Sequence, residues 1–323
     1  MRNRSPQRAQ ICITLWLPNE VLTEIIQNAP VADQATLCRV SKLFHGLVLP
    51  CLLREVALNE SETLESFSLA MRKNPERADL VRSLTYRNWI GSSHRNSLFL
   101  IAAMKLMQRL EYLSINDDGW VVSQLADVSF PNLSSYAIQL SPNFSLLPNL
   151  RCYAGPPRFL SSFCFRNLGA VQMLCPPSFA SVLEVLRAQA DPDLILSLNH
   201  NSSLEAQVYL RDTLATLSGH MLYFKKLQLQ GCHESVSLAP ETINNITAYL
   251  SRSDRIEYFA LHYWASPENN SVKIRGALET WVNACSTLRG CCFGEIAWVK
   301  VGEKWEECSR EEFDTESGFS VFV

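Results

Sequence analysis

Residues 17–56 read LPNEVLTEIIQNAPVADQATLCRVSKLFHGLVLPCLLREV, and three short helices can be read directly from this stretch. Pro18 suits the first turn of a helix, where its missing N–H would go unsatisfied in any case. Val21, Leu22, Ile25 and Ile26 follow at i, i+1, i+4 and i+5, the spacing of one apolar helical face. Asn28-Ala29-Pro30 stops that helix, and Asp33 is placed to N-cap the next. Leu37, Val40, Leu43, Phe44 and Leu47 form another stripe, which Pro50 is expected to end. Helices this short cannot bury both of their faces alone, so the unit is expected to dock on a partner. The core of a small self-standing helical domain is the alternative use of the same residues.

These positions together resemble an F-box. The resemblance runs over residues 16–56 and is carried by Leu17-Pro18-x-Glu20-Val21-Leu22, Ile25-Ile26, Asp33, Leu37, Arg39-Val40-Ser41-Lys42-x-Phe44 and Pro50-x-Leu52. Phe44 stands where many members carry Trp, an aromatic exchange. The resemblance implies a three-helix motif bound to a Skp-type adaptor and, through it, to a cullin scaffold and a ubiquitin-conjugating enzyme. Leu17, Pro18, Val21, Leu22, Ile25 and Ile26 would then face the adaptor, helped by Val40 and Phe44. A basic arm (1–15) precedes this segment and a linker helix, within 57–80, follows it.

Beyond residue 80 a short pattern recurs, one apolar residue followed after two spacers by an alternating stretch. It reads VRSLTY (81–86), RLEYLSI (109–115), NLSSYAI (132–138), NLRCYA (149–154) and NLGAVQML (167–174). Looser copies are DLILSL (193–198), FKKLQLQ (224–230), RIEYFAL (255–261) and TLRGCCF (287–293). Alternation of period two predicts strands with one buried face. Helical spacing lies between copies, over 97–110, 179–187, 203–217, 240–250 and 274–285. Strand plus helix, repeated, is the leucine-rich-repeat plan. The expected fold is therefore α/β, an F-box followed by an irregular leucine-rich-repeat solenoid over 81–301 with a curved parallel sheet. The copies lack the full consensus, so a generic α/β domain stays open. Residues 297–301 read as a last strand, and the acidic stretch 302–323 as an end cap or tail, a solvated tail being preferred to a dedicated binding tail for a basic partner.

Composition narrows the function classes. Hydrophobic residues are 47% and charged residues 19%, which argues against wholesale disorder. A net charge of −3 calls for no nucleic-acid partner. Only 12 glycines are present, and no Walker loop, G-x-G-x-x-G or G-x-S-x-G occurs. The 11 cysteines include no C-x-x-C, and Cys38, Cys152, Cys164, Cys175 and Cys285 sit in apolar runs. They are read as reduced, buried thiols of a cytoplasmic or nuclear protein. The run Ile11–Leu17 behind three arginines is too short for a signal peptide, and no stretch is long enough to span a membrane.

None of the six histidines forms H-x-x-x-H or H-E-x-x-H, so neither a metal site nor a cofactor is expected. Asp117-Asp118-Gly119 reads as a turn rather than an acid–base pair. Trp89, Trp120, His200, His233 and Trp264 recur just beyond expected strand ends, on one rim of the array. They are the candidate residues for an unidentified protein client, with packing beneath the loops as the alternative for the tryptophans. The expected function is a non-catalytic substrate receptor of a Skp-cullin-F-box type ubiquitin ligase. An adaptor-binding scaffold outside ubiquitination, or an enzyme whose site shows no motif, are the alternatives.

Overall fold

A computed structural model describes residues 17–87, 99–100, 102–115, 147–155, 160, 168–174, 183–184, 186, 190–200, 206–219, 224–265 and 271–322. The chain divides into two compact units, Met1–Val56 and Ala57–Val323.

The first unit holds α1 (Asn19–Gln27), α2 (Val31–Leu37) and α3 (Lys42–Arg54), with α1 and α2 both packed on α3. Pro18 and Pro30 occupy the positions just before α1 and α2, with φ near −55° and extended ψ. Asp33 therefore sits in the first turn of α2 instead of capping it, where its carboxylate still faces the positive end of the helix. Ser41 caps α3 by accepting the Phe44 N–H at 3.2 Å. Pro50 does not end α3 but lies inside it. A proline removes one hydrogen bond, and the packing of α3 against both other helices, with Val48 fully buried, carries the helix through that loss.

The second unit is built on a long curved sheet of eleven strands in chain order. It begins with β1 (Glu55–Leu58), followed by α4 (Ser61–Lys73), the helix expected within 57–80, and α5 (Pro75–Ala78). Next come β2 (Ser83–Tyr86), β3 (Tyr112–Ile115), β4 (Cys152–Gly155), β5 (Leu168–Leu174), β6 (Ala190–His200), β7 (Lys226–Val236), β8 (Tyr258–Ala265) and β9 (Gly290–Phe293). Each of these pairs in parallel with the next. The strands expected near 84, 113, 152, 173, 196, 228, 259 and 291 are thus present and stacked in sequence order. The expected strand near 136 lies outside the described residues, and β3 pairs with β4.

One local device recurs along the sheet. Val81, Leu110, Leu150, Leu168, Phe224, Ile256 and Leu288 are buried just ahead of or at the strand starts, and the residues three places on are buried too: Leu84, Leu113, Tyr153, Val171, Leu227, Phe259 and Cys291. The residue after the first apolar position offers one carbonyl to two successive N–H groups of the next strand. Arg82 O accepts from Glu111 and Tyr112, Glu111 O from Arg151 and Cys152, and Arg151 O from Gly169 and Ala170. Lys225 O and Glu257 O do the same further along. The shared step fixes one register and sends the same apolar positions to one face. There α6 (Ala206–Gly219), α7 (Pro240–Arg252) and α8 (Ser271–Ala284) pack in succession. The contact is aromatic at Phe259 against Trp281, rings 5.8 Å apart and nearly perpendicular.

The parallel run ends at β9. A two-residue turn with Gly294 at φ +60° leads back into β10 (Ile296–Val301), and a second, with Gly302 at φ +63°, into β11 (Lys304–Cys308). β11 is the last strand, and its Lys304, Glu306 and Glu307 are exposed. The preferred solvated tail is corrected here. Ser309 and Glu312 form a reciprocal capping box that starts α9 (Arg310–Ser317), Gly318 ends it at φ +79°, and a 3-10 turn (Phe319–Phe322) follows. Phe313 and Phe319 pack with Tyr258, Ala260, Cys292, Ala297 and Val299, on the sheet face opposite to Phe259 and α8. Glu311, Glu312 and Glu316 are exposed and Asp314 turns inward, while the two aromatics supply the apolar area that a free tail would lack.

Phe313→Ala is expected to remove about 3–5 kcal/mol of stability, read as a lower midpoint in urea, whereas Val272→Ala, at an exposed position of α8, should leave the midpoint unchanged. Cys291 and Cys292 are buried, and that burial pushes both thiols up. A raised pKa means less thiolate at a given pH, so iodoacetamide at pH 8 should modify Cys38 in the folded protein well before either; equal rates by peptide mass mapping would contradict this core.

Candidate functional site

α1 divides its apolar residues between two directions. Leu22 and Ile26, at 4% and 1% exposure, point into the three-helix core, whereas Val21 and Ile25 keep 37% and 54% of their surface open. Val21 and Ile25 are spaced i, i+4 on one side of the helix, and Leu17, exposed at 38%, lies just before its start. The sequence expectation grouped Leu22 and Ile26 with this docking face. In the unit they are core, because paired residues at i and i+1 lie about 100° apart around a helix and only one of each pair can point outward. Pro18 is also exposed just before the helix, Val40 is exposed after α2, and Phe44 is half-buried. Val31 and Leu43 are also exposed apolar residues of this unit, which sequence reasoning left out of the face.

Polar contacts hold the turns between these helices. The buried Gln34 amide donates to Ala29 O at 2.9 Å, closing the α1–α2 turn. His45 Nδ1 lies 3.2 Å from Cys38 Sγ and 3.3 Å from Cys38 O, which ties α3 to the end of α2. The apolar residues left outside are therefore presented on a constrained framework.

The candidate client residues fall differently. Trp89 and Trp120 lie outside the described residues. His200, His233 and Trp264 were expected in loops beyond the strands, but their backbones belong to β6, β7 and β8. Each of these strands runs on past the short repeat pattern, and the ladder resumes after an irregularity at Ser235 opposite Trp264. The three residues remain toward the C-terminal ends of neighbouring parallel strands.

At the opposite, leading ends, charges alternate from strand to strand. Arg82 meets Glu111 at 3.6 Å, and Glu257 stands between Lys225 (3.8 Å) and Arg289 (3.6 Å), while Lys225 also pairs with Asp193. A groove of about 650 Å³ opens here, lined by Lys225, Glu257, Tyr258, Ser286, Arg289 and Lys300 among others. Tyr258 donates to Glu316 Oε1 at 3.2 Å, and burial with that carboxylate pushes its phenol up to about 12, so it remains a donor at neutral pH. Arg82, Lys225 and Arg289 of this ladder each have a carboxylate partner.

A second set of polar groups lies on the sheet face that carries α9. Ser197, Gln228 and His262 are buried there, and Asn199 points the same way. Sequence reasoning missed them, although the outward positions of SLN (197–199), QLQ (228–230) and ALH (260–262) are nearly all polar. Among the described residues no group of three His, Cys, Asp or Glu side chains is placed to hold a metal ion, and no helix is long and apolar enough to cross a membrane.

The family model for the F-box domain matches residues 15–54, the span of the three helices. No curated protein matches the chain. F-box domains are interaction modules that bind Skp-type adaptors, typically within Skp-cullin-F-box ubiquitin ligases, where F-box subunits are generally non-catalytic. With three short helices on that span and exposed apolar residues on α1, residues 15–54 of the chain are an F-box domain.

Proposed function

We propose that this chain is the substrate receptor of a Skp-cullin-F-box type ubiquitin ligase, docking the adaptor through its first unit and holding a protein client on its repeat-built sheet. The observation that supports the reading most is the exposure of Leu17, Val21, Ile25 and Val40 in the first unit, with Pro18 and Phe44 the further residues proposed for the adaptor face. Apolar side chains of this size held open in a small unit are a contact surface in waiting. The adaptor connects the receptor to a cullin scaffold, and the client is presented by proximity rather than by chemistry in the receptor itself. Strands that pair one after another, as in a leucine-rich-repeat solenoid, supply a broad surface for a client away from the committed F-box. His200, His233 and Trp264 on β6 to β8, with Trp89 and Trp120, are the proposed client contacts.

Val21→Asp and Ile25→Asp should each weaken adaptor pull-down by about a hundredfold, roughly 3 kcal/mol, because an unpaired charge would be buried at the contact. The melting temperature should hold, since both positions are open to solvent. Leu22→Asp and Ile26→Asp should instead unfold the helical unit. Adaptor binding that survives both exposed-site substitutions would remove the receptor reading. Trp264→Ala should reduce client capture about thirtyfold, the loss of roughly 2 kcal/mol expected of a binding hot spot, with adaptor binding intact. A large fall in melting temperature would show instead that Trp264 is core.

A further inference from the structure

The sheet face that carries α9 contains, over β6 to β8, a strip of polar side chains that the chain itself leaves unsatisfied. Ser197 stands opposite Gln228 in the β6–β7 register, and Asn199 opposite Gln230, which in turn stands opposite His262. Ser197 is fully buried, and Gln228 and His262 are more than nine-tenths buried. Ser197 Oγ, Asn199 Oδ1, Gln228 Oε1 and both ring nitrogens of His262 have no hydrogen-bond partner. α9 adds a carboxylate: Asp314 Oδ1, also without a hydrogen bond, lies 3.5 Å from His262 Nε2. Neighbouring strands lie about 4.8 Å apart and alternate residues of a strand about 7 Å apart. The orphaned atoms therefore share one small patch.

Each buried polar atom left without a partner costs about 1–3 kcal/mol. A sheet that had only to hold together would be more stable with apolar residues at 197 and 228, and the opposite face of the same strands is built that way, with Leu196, Leu198, Leu227 and Leu229. The chemistry of the strip selects its complement. Asn199 Oδ1, Gln228 Oε1 and Asp314 Oδ1 can only accept, while the Ser197 hydroxyl and the His262 imidazole adapt to either role. Several acceptors within one patch call for a group with several N–H donors fanned in a plane, which describes a guanidinium better than a compact ammonium. The Asp314 carboxylate already keeps such company, with Arg310 Nε 3.5 Å from its Oδ2.

We propose that Ser197, Asn199, Gln228 and His262, with Asp314, form a client-recognition site that takes an arginine side chain of the bound protein. The proposal rests on the receptor reading and names the client chemistry for it. α9 borders the strip through Asp314, so entry of the side chain requires this helix to move.

The test uses the full chain bound to its adaptor and four pools of randomised dodecamer peptides, with the central residue fixed as Arg, Lys, Glu or Leu. Fluorescence anisotropy should show the Arg pool binding at least tenfold tighter than the Glu and Leu pools and measurably tighter than the Lys pool. Gln228→Met combined with Ser197→Ala should remove that preference while the melting temperature stays level or rises, because unsatisfied buried atoms are deleted. Equal binding of all pools, or of Lys and Arg pools, overturns the assignment. So does an unchanged Arg preference in the double variant, or a large fall in its melting temperature, which would assign these residues to the core. Adaptor pull-down in parallel keeps the two ideas separate: intact adaptor binding without arginine preference sinks this site and leaves the receptor reading in place.

Discussion

The second unit depends on one hydrogen-bonding step made again and again, a carbonyl at the leading end of a strand accepting two successive N–H groups from the next. Parallel pairing is sensitive to register, because a slip of one residue turns every side chain to the other face. With the first residues of each neighbour clamped in this way, the alternation that follows is set. Leu84, Leu113, Tyr153, Val171, Leu196, Leu227, Phe259 and Cys291 then fall in one buried row. Side-chain charges reinforce the clamp from outside: Arg82 against Glu111, and Glu257 between Lys225 and Arg289. Such exposed pairs add little stability individually. Their alternating sign favours the register in which opposite charges are neighbours over one that aligns like charges.

The F-box unit solves a different problem, that of a helix with two apolar directions. Leu22 and Ile26 close the core with α3, and Leu17, Val21 and Ile25 remain outside. A unit this small has little interior, so a large part of its apolar surface stays available for a partner. Capping by Ser41 and the Gln34 bond to Ala29 hold these outer residues in place before any partner arrives, which lowers the ordering entropy that binding must overcome.

Much of this was legible in the sequence, for reasons that can be assigned to residues. The F-box showed because Pro18, Pro30 and the paired apolar positions punctuate a short span. The parallel strands showed because the L-x-x-L step survives in copies as different as VRSLTY and TLRGCCF. What stayed hidden was direction and depth. Val21-Leu22 and Ile25-Ile26 look alike in sequence, and only packing against α3 decides which member turns inward. Pro50 reads as a helix stop, yet tertiary contacts on both sides of it outweigh one missing bond. α9 was masked by its acidic composition, since Phe313 is the single large apolar residue within it and Phe319 follows only after its end. The polar strip on β6 to β8 was visible only as alternation, and no spacing rule announces that a serine and a glutamine will be buried side by side.

The hairpin that closes the sheet limits how such a protein can change in size. Inside the parallel run most strands offer the next the same backbone step, so a duplicated strand-and-crossover unit beside one of them would find a matching neighbour. After β9 the chain reverses, and the outer edge belongs to β11, with charged residues at Lys304, Glu306 and Glu307. A further parallel unit has no template there, and a second molecule meets charge instead of an open apolar edge. Length in this architecture is therefore free to drift within the parallel run and capped at the β11 edge, so a lineage can enlarge the strand-built surface without creating a sheet that polymerises.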